Sequence, residues 1–434
     1  MSETLALPQT HVRIDVDFFD ENEKKKLLAY PTAQQIEQLV LNGLSVPTAE
    51  FLTYYLFHKK RPGKPGYRSY SEISRNIDRA IRDLDDWVIF SDETIVSAPD
   101  ATPQDGAIIE RIGESIALSV VNRIHKLHEA DWDKIPEHRG RSGFPTFDYR
   151  TTVPDIASDG KFVIQAEAKG TAVNNTAEKT ASARAQFNKA KEKKQKVAEL
   201  EAQNRYKYPA DIRYGAVCAL GYTGSARCWL LDPPAEGAEN PRRVRLLNRM
   251  RFLSDWFSFI TPRSQLAASM ATRFIDLLNL EDPFQLSGVP LVRGNGEPFE
   301  ISRFNPRSRQ HGFFRNMSQV VDGPAGGVAM QMPSRDILFL GIREDLLELM
   351  AKQDFERLLI YDFPTSTVTK TVRCVISKGR MHNIRLPPEL QAAEESRDAY
   401  VRFTLTGALH YSRGGLVFGV LPVPKAKAKD DLLK

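Results

Sequence analysis

A chain of 434 residues with 41% hydrophobic and 26% charged residues is too long for one ordinary core and too apolar to be globally disordered. A net charge of +5 defines no partner class, so the placement of charge carries the information. No apolar run reaches the roughly 18 residues of a membrane helix. The start, MSETLALPQTH, has no basic segment leading into an apolar one, and a cytoplasmic protein without membrane association is expected.

Residues 1–100 are expected to form an N-terminal helical region. ENEKKKLLAY, TAQQIEQLVLNG, TAEFLTYYLFHKK and SEISRNIDRAIRDLDDW carry apolar residues at helical spacing, and Pro47-Thr48 is a start signal. RPGKPGYRSY reads as a loop and SAPDATPQDG (97–106) as a linker. In AIIERIGESIALSVVNRIHKLHEA, Ile108, Ile112, Ile116, Val120 and Ile124 recur every four residues and predict a helix with one buried stripe. His125 and His128, near its end, read as helix-surface or packing histidines rather than as ligands. TFDYRTTVPDI and KFVIQAEAK read as strands joined by an ASDG turn, and 176–203 as a long polar helix. YGAVCALGY and ARCWLLD read as a hairpin stopped by Pro233-Pro234. Its Cys218 and Cys228 flank the turn and are expected as neighbouring buried thiols. Three cysteines in all supply neither a disulfide framework nor a zinc set. This order implies an α/β core, a mixed sheet with helices packed on it. Residues 241–290 read as a helical connector and 291–434 as a C-terminal β-rich domain with a basic tail. There TVTKTVRCVISKG sets Val368, Val372, Cys374 and Ile376 on one strand face, and REDLLELMAKQDF is the clear helix.

The stretch VIQAEAKGT carries the chemistry. Residues two apart in a strand share a face, so Glu167 and Lys169 project together, opposite Phe162, Ile164, Ala166 and Ala168. Asp155, after Pro154, ends the preceding strand. Two carboxylates can hold Mg²⁺ while leaving positions for water and a phosphate oxygen, and a lysine beside them can orient the water and offset charge on phosphorus. Glu-x-Lys alone is weak; it recurs at Glu23–Lys25 and Glu192–Lys194 in charged helices.

Pro154-Asp155, eleven residues, then Glu167-Ala168-Lys169 resembles the PD-(D/E)xK nuclease motif of the restriction-endonuclease-like superfamily. The resemblance covers residues 105–235, within a nuclease-like domain placed at 105–240. It implies a restriction-endonuclease-like mixed sheet flanked by helices, with Asp155 and Glu167 as ligands of Mg²⁺ or Mn²⁺ and Lys169 as the catalytic lysine. It also implies an acid on the preceding helix, Glu114 with Glu110 one turn earlier as its rival, and a glutamine on the following helix, Gln186. The expected function is metal-dependent cleavage of DNA, in bacterial restriction, antiphage defence, mobile-element processing or repair. The competing expectation is a noncatalytic nucleic-acid-binding or sensor subunit. GPAGG (323–327) and RGNG (293–296) lack the lysine and hydroxyl residue of a phosphate-cradling loop, so any ATPase or helicase would be a separate subunit. Two copies could cut both strands, which makes a homodimer the expected assembly. Lys189 and Lys193 in KAKEKKQK, and Arg303, Arg307 and Arg309 in SRFNPRSRQHGFFR, are candidate nucleic-acid contacts; PRRVRLLNRMR (241–251) is a further basic run.

Overall fold

The computed structural model describes residues 11–57, 70–91, 94–98, 106–136, 144–153, 162–231, 240–261, 264–299, 317–320, 325–334, 336–377 and 400–423. The first strand, β1 (His11–Phe18), reads HVRIDVDF and buries every second residue from Val12 to Phe18. Helix α1 (Glu21–Leu27) starts on Asp20, whose carboxylate accepts from the backbone of Asn22 and Glu23. There follow α2 (Ala33–Asn42), β2 (Leu44–Pro47), α3 (Thr48–Phe57), α4 (Tyr70–Trp87) and a hairpin of β3 (Val88–Ser91) and β4 (Thr94–Ser97). The expected N-terminal helical region is therefore corrected: it contributes β1 and β2 to the central sheet. The reason is the period-two alternation of HVRIDVDF, a half-buried strand pattern that precedes the first helical one.

Helix α5 (Gly106–His125) leads through a short turn at Glu129–Asp131 to β5 (Asp133–Lys134), β6 (Tyr149–Thr152) and β7 (Val163–Asn175). Helix α6 (Ala181–Ala202) starts on Thr180 and crosses to β8 (Ile212–Thr223), which turns into β9 (Ala226–Leu231). The seven-stranded sheet runs β2-β1-β9-β8-β7-β6-β5. Strands β7 and β8, joined by α6, are parallel, as are β1 and β9; the other neighbours are antiparallel. Such a crossover places α6 on one face of the sheet at the carboxyl end of β7. Cys218 and Cys228 stand directly opposite each other in the β8–β9 register, both buried, as free thiols 3.9 Å apart.

The stripe of α5 is buried as expected, but so is most of the helix. Its second side meets α3: Arg111 donates to the Tyr55 carbonyl at 2.7 Å, and Asn122 bonds to the Tyr54 hydroxyl. His125 is buried against the Tyr214 hydroxyl at 2.9 Å, and burial pushes its pKa down to about 3, so the ring is neutral. No helix among the described residues is long and apolar enough to cross a membrane.

The helical connector opens at residue 241, as expected. Helix α7 (Pro241–Ile260) starts on Asn240 with proline in its first turn and absorbs PRRVRLLNRMR; α8 (Gln265–Asn279) follows. Two arginines of that basic run are thus structural. Arg245 and Arg249 are buried and converge on the buried Asp131, at 3.0 and 2.7 Å, while Arg249 also meets His128 at 2.8 Å. Beyond α8, β10 (Met317–Val320), β11 (Ala325–Gln331), β12 (Ile337–Arg343), β13 (Ser366–Ser377), β14 (Tyr400–Tyr411) and β15 (Leu416–Leu421) close into an antiparallel barrel. The C-terminal region is thus β-rich as read from sequence. Val372 and Cys374 point into the barrel core, with Val368 packed against it. The helix expected at REDLLELMAKQDF is α9 (Glu344–Lys352), which ends where Gln353 adopts the left-handed conformation; a short α10 (Phe355–Ile360) follows. One continuous hydrophobic core runs from Val12 of β1 through α5 and α7 to Phe418 of β15.

Candidate active site

Strand β7 lies inside the sheet, flanked by β6 and β8. Its period-two geometry sends Ile164, Ala166 and Ala168 into the large core beneath α5. Gln165, Glu167, Lys169, Thr171 and Val173 alternate with them and face α6. Thr171 donates to Ser182 at 2.9 Å, and Val173 packs with Ala183 and Phe187. Phe162 does not join the apolar set: it precedes the strand and is 36% exposed.

Glu167 is 1% exposed, yet its carboxylate meets two ammonium groups. Lys193 of α6 donates to Oε1 at 2.7 Å and to Oε2 at 2.5 Å, and Lys169 pairs with Oε1. Asp148 stands just before β6, where its backbone N–H donates to the Ala166 carbonyl at 3.1 Å. The register Tyr149↔Ala166 sets it beside Glu167. One Asp148 oxygen lies 3.8 Å from Lys193 Nζ; the other accepts from the Ala168 backbone at 3.1 Å. Burial, reinforced by Asp148, pushes the Glu167 pKa up to about 7 against the pull of Lys193 and Lys169. Burial draws the Lys169 pKa down, but Glu167, Asp148 and Glu110 together outweigh it and hold the ammonium above its ordinary value.

A cleft of about 480 Å³ opens beside this cluster, lined by Glu110, Asp148, Lys169, Ser182, Gln186 and Lys189 among others. Of the residues singled out by sequence, Glu167, Lys169 and Lys193 meet in the cluster, and Gln186 and Lys189 line the cleft with Lys169. Asp155, Arg303, Arg307 and Arg309 lie outside the described residues. The two helix acids are placed differently. Glu110 lines the cleft, whereas Glu114 is 4% exposed and its carboxylate takes Lys134 at 3.3 Å. Sequence reasoning missed Asp148. The signal was available in TFDYRTT: an acid just before the strand that pairs antiparallel with VIQAEAK.

Glu110 reaches the cleft because α5 packs unusually close to β7. Gly113 and Gly170 face each other, and a Cβ on Gly170 would fall on the Ile109 carbonyl. A backbone obstacle cannot rotate away, so α5 would have to shift. Gly170→Ala is expected to cost about 1–3 kcal/mol of stability, read by chemical denaturation, and to displace Glu110 from the cleft.

The donor chemistry suits a hard divalent cation. One buried carboxylate and one half-buried carboxylate border a single position that a lysine ammonium takes. Among the described residues there is no group of three or more His, Cys, Asp and Glu side chains that could hold a metal. Two carboxylates completed by water and substrate oxygens is nonetheless an ordinary arrangement for Mg²⁺. The fold and site thus define a mixed α/β protein with a buried carboxylate–lysine cluster at a cleft. Comparison of the chain with known family models, curated proteins and solved structures finds no match.

Proposed function

We propose that the chain is a metal-dependent nuclease that hydrolyses phosphodiester bonds, with DNA as its substrate and a restriction-endonuclease-like core. The observation that carries the reading is the meeting of Asp148, Glu167 and Lys169 in one cluster, from which Asp148 and Lys169 line the cleft. The element order from α5 to β9, with β7 and β8 parallel through α6, supports it.

Asp148 and Glu167 would hold Mg²⁺ or Mn²⁺, which when bound polarises a phosphate oxygen and acidifies a water. Lys169, kept protonated by its carboxylate neighbours, acts as a hydrogen-bond donor and positive charge rather than as a base. Gln186 and Lys189 border the same cleft from α6 and offer donors to phosphate oxygens. The preference for DNA follows from the superfamily that the motif resembles. Restriction, antiphage defence, mobile-element processing or repair are the settings that suit such an activity, with a homodimer or a separate ATPase or helicase as assembly partners.

Purified protein is expected to cut DNA with Mg²⁺ or Mn²⁺ and to stop with EDTA. Lys169→Met is expected to lower the rate by at least about a hundredfold. An undiminished rate in that variant would sink the mechanism. One observation favours a second reading, a noncatalytic binding or sensor module: both Glu167 oxygens are already engaged by lysines. That reading predicts salt-sensitive DNA binding that survives Asp148→Ala, and no cleavage with any metal.

A further inference from the structure

Both oxygens of Glu167 are engaged by ammonium groups. Its two oxygens are taken by Lys193, which also approaches Asp148 at 3.8 Å, and Lys169 shares Oε1. The two lysines are not equivalent. Lys169 sits on the same strand as Glu167, two residues away, and touches one oxygen. Lys193 comes from a different element, chelates both oxygens and spans toward the second carboxylate. That is the position a bridging divalent ion would take. Its side chain is 24% exposed, and α6 beside it borders the cleft through Gln186 and Lys189, so the ammonium has water to move into.

Two ionised carboxylates this close, one of them buried, repel strongly unless a cation sits between them or one takes up a proton. We propose that Lys193 is a tethered cation that holds the Asp148–Glu167 pair until a divalent metal displaces it, so that metal loading is an exchange of one cation for another. The proposal rests on the reading of Asp148 and Glu167 as metal ligands. Its consequence is an apparent metal affinity equal to the intrinsic one multiplied by the fraction of molecules in which Lys193 has swung away. Loading would then follow only where metal is plentiful, or where a phosphate in the cleft draws the freed ammonium outward.

The test is Mn²⁺ titration of the full chain without nucleic acid, with free Mn²⁺ followed by electron paramagnetic resonance. Lys193→Met is expected to bind Mn²⁺ about tenfold or more tightly than wild type, the equivalent of losing a charge-assisted hydrogen bond that competes with the metal. Lys193→Gln serves as a second uncharged variant. Lys193→Arg, which keeps the charge and reach, is expected to retain the wild-type affinity. Lys189→Met removes a neighbouring charge from the same cleft and is expected to tighten binding less than Lys193→Met. Wild type that binds Mn²⁺ with Lys193→Met and Lys193→Gln no tighter overturns the exchange alone. So does equal tightening in Lys189→Met, which would reduce the effect to general electrostatics. Absence of Mn²⁺ binding in every variant overturns the metal-ligand reading, and the exchange with it.

Discussion

Asp148→Asn is expected to lower metal-dependent DNA cleavage by more than about a hundredfold while leaving the protein folded. Changes to groups that merely orient a metal ligand already cost about 10–100-fold, so loss of a ligand charge should exceed that range. The geometry explains why the fold should survive. Asp148 lies at the sheet margin with its side chain 21% exposed, and asparagine keeps an oxygen that can accept from the Ala168 backbone. The charge, not the shape, is removed. Cleavage rates of Asp148→Asn and Asp155→Asn measured side by side decide which aspartate is the second carboxylate. A wild-type rate in the first with a lost rate in the second would return that role to Asp155.

The second large effect is on stability. Asp131→Ala is expected to destabilise the protein by about 3–5 kcal/mol, because it strips the shared anion from two buried guanidinium groups. Arg245 also donates to the carbonyls of Leu359 and Thr152, and Arg249 to that of Leu358. These bonds tie α7 to β6 and to α10 beside the barrel. The loss should therefore appear as a lower denaturation midpoint recorded from both the sheet and the barrel. A change under about 1 kcal/mol would mean that the carbonyls alone satisfy both arginines. Burial favours the neutral acid at Asp131, but Arg245 and Arg249 beside it hold its carboxyl well below the ordinary aspartate range. A depressed carboxyl contributes stability above the unfolded aspartate pKa, and that contribution fades only as pH falls below it.

Local patterns accounted for much of this chain. Alternation in VIQAEAKGT set Glu167 and Lys169 on one face, the turn between YGAVCALGY and ARCWLLD brought Cys218 to Cys228, and the four-residue recurrence in α5 marked a buried helix. Each is a property of one segment and its own period. The misses involve two segments at once. Strand β1 is legible in the alternation of HVRIDVDF, but its place beside β9, more than 200 residues away, is not. The basic run 241–251 looked like a surface for polyanions until Asp131 supplied buried partners for two of its arginines.

The candidate site divides in the same way. The sequence by itself determined that an acid and a lysine leave β7 on a common side, since a strand of L-residues has no other way to place positions two apart. Only the tertiary structure decided which groups they meet. The antiparallel register of β6 brought Asp148 to Glu167, and a slip of one residue would have turned it to the other face. The contact of Gly113 with Gly170 set α5 so that Glu110, rather than Glu114, borders the cleft. The seating of α6 across β7 delivered Lys193 to both carboxylates. Register and helix seating are settled by packing over many residues, and no single segment carries that information.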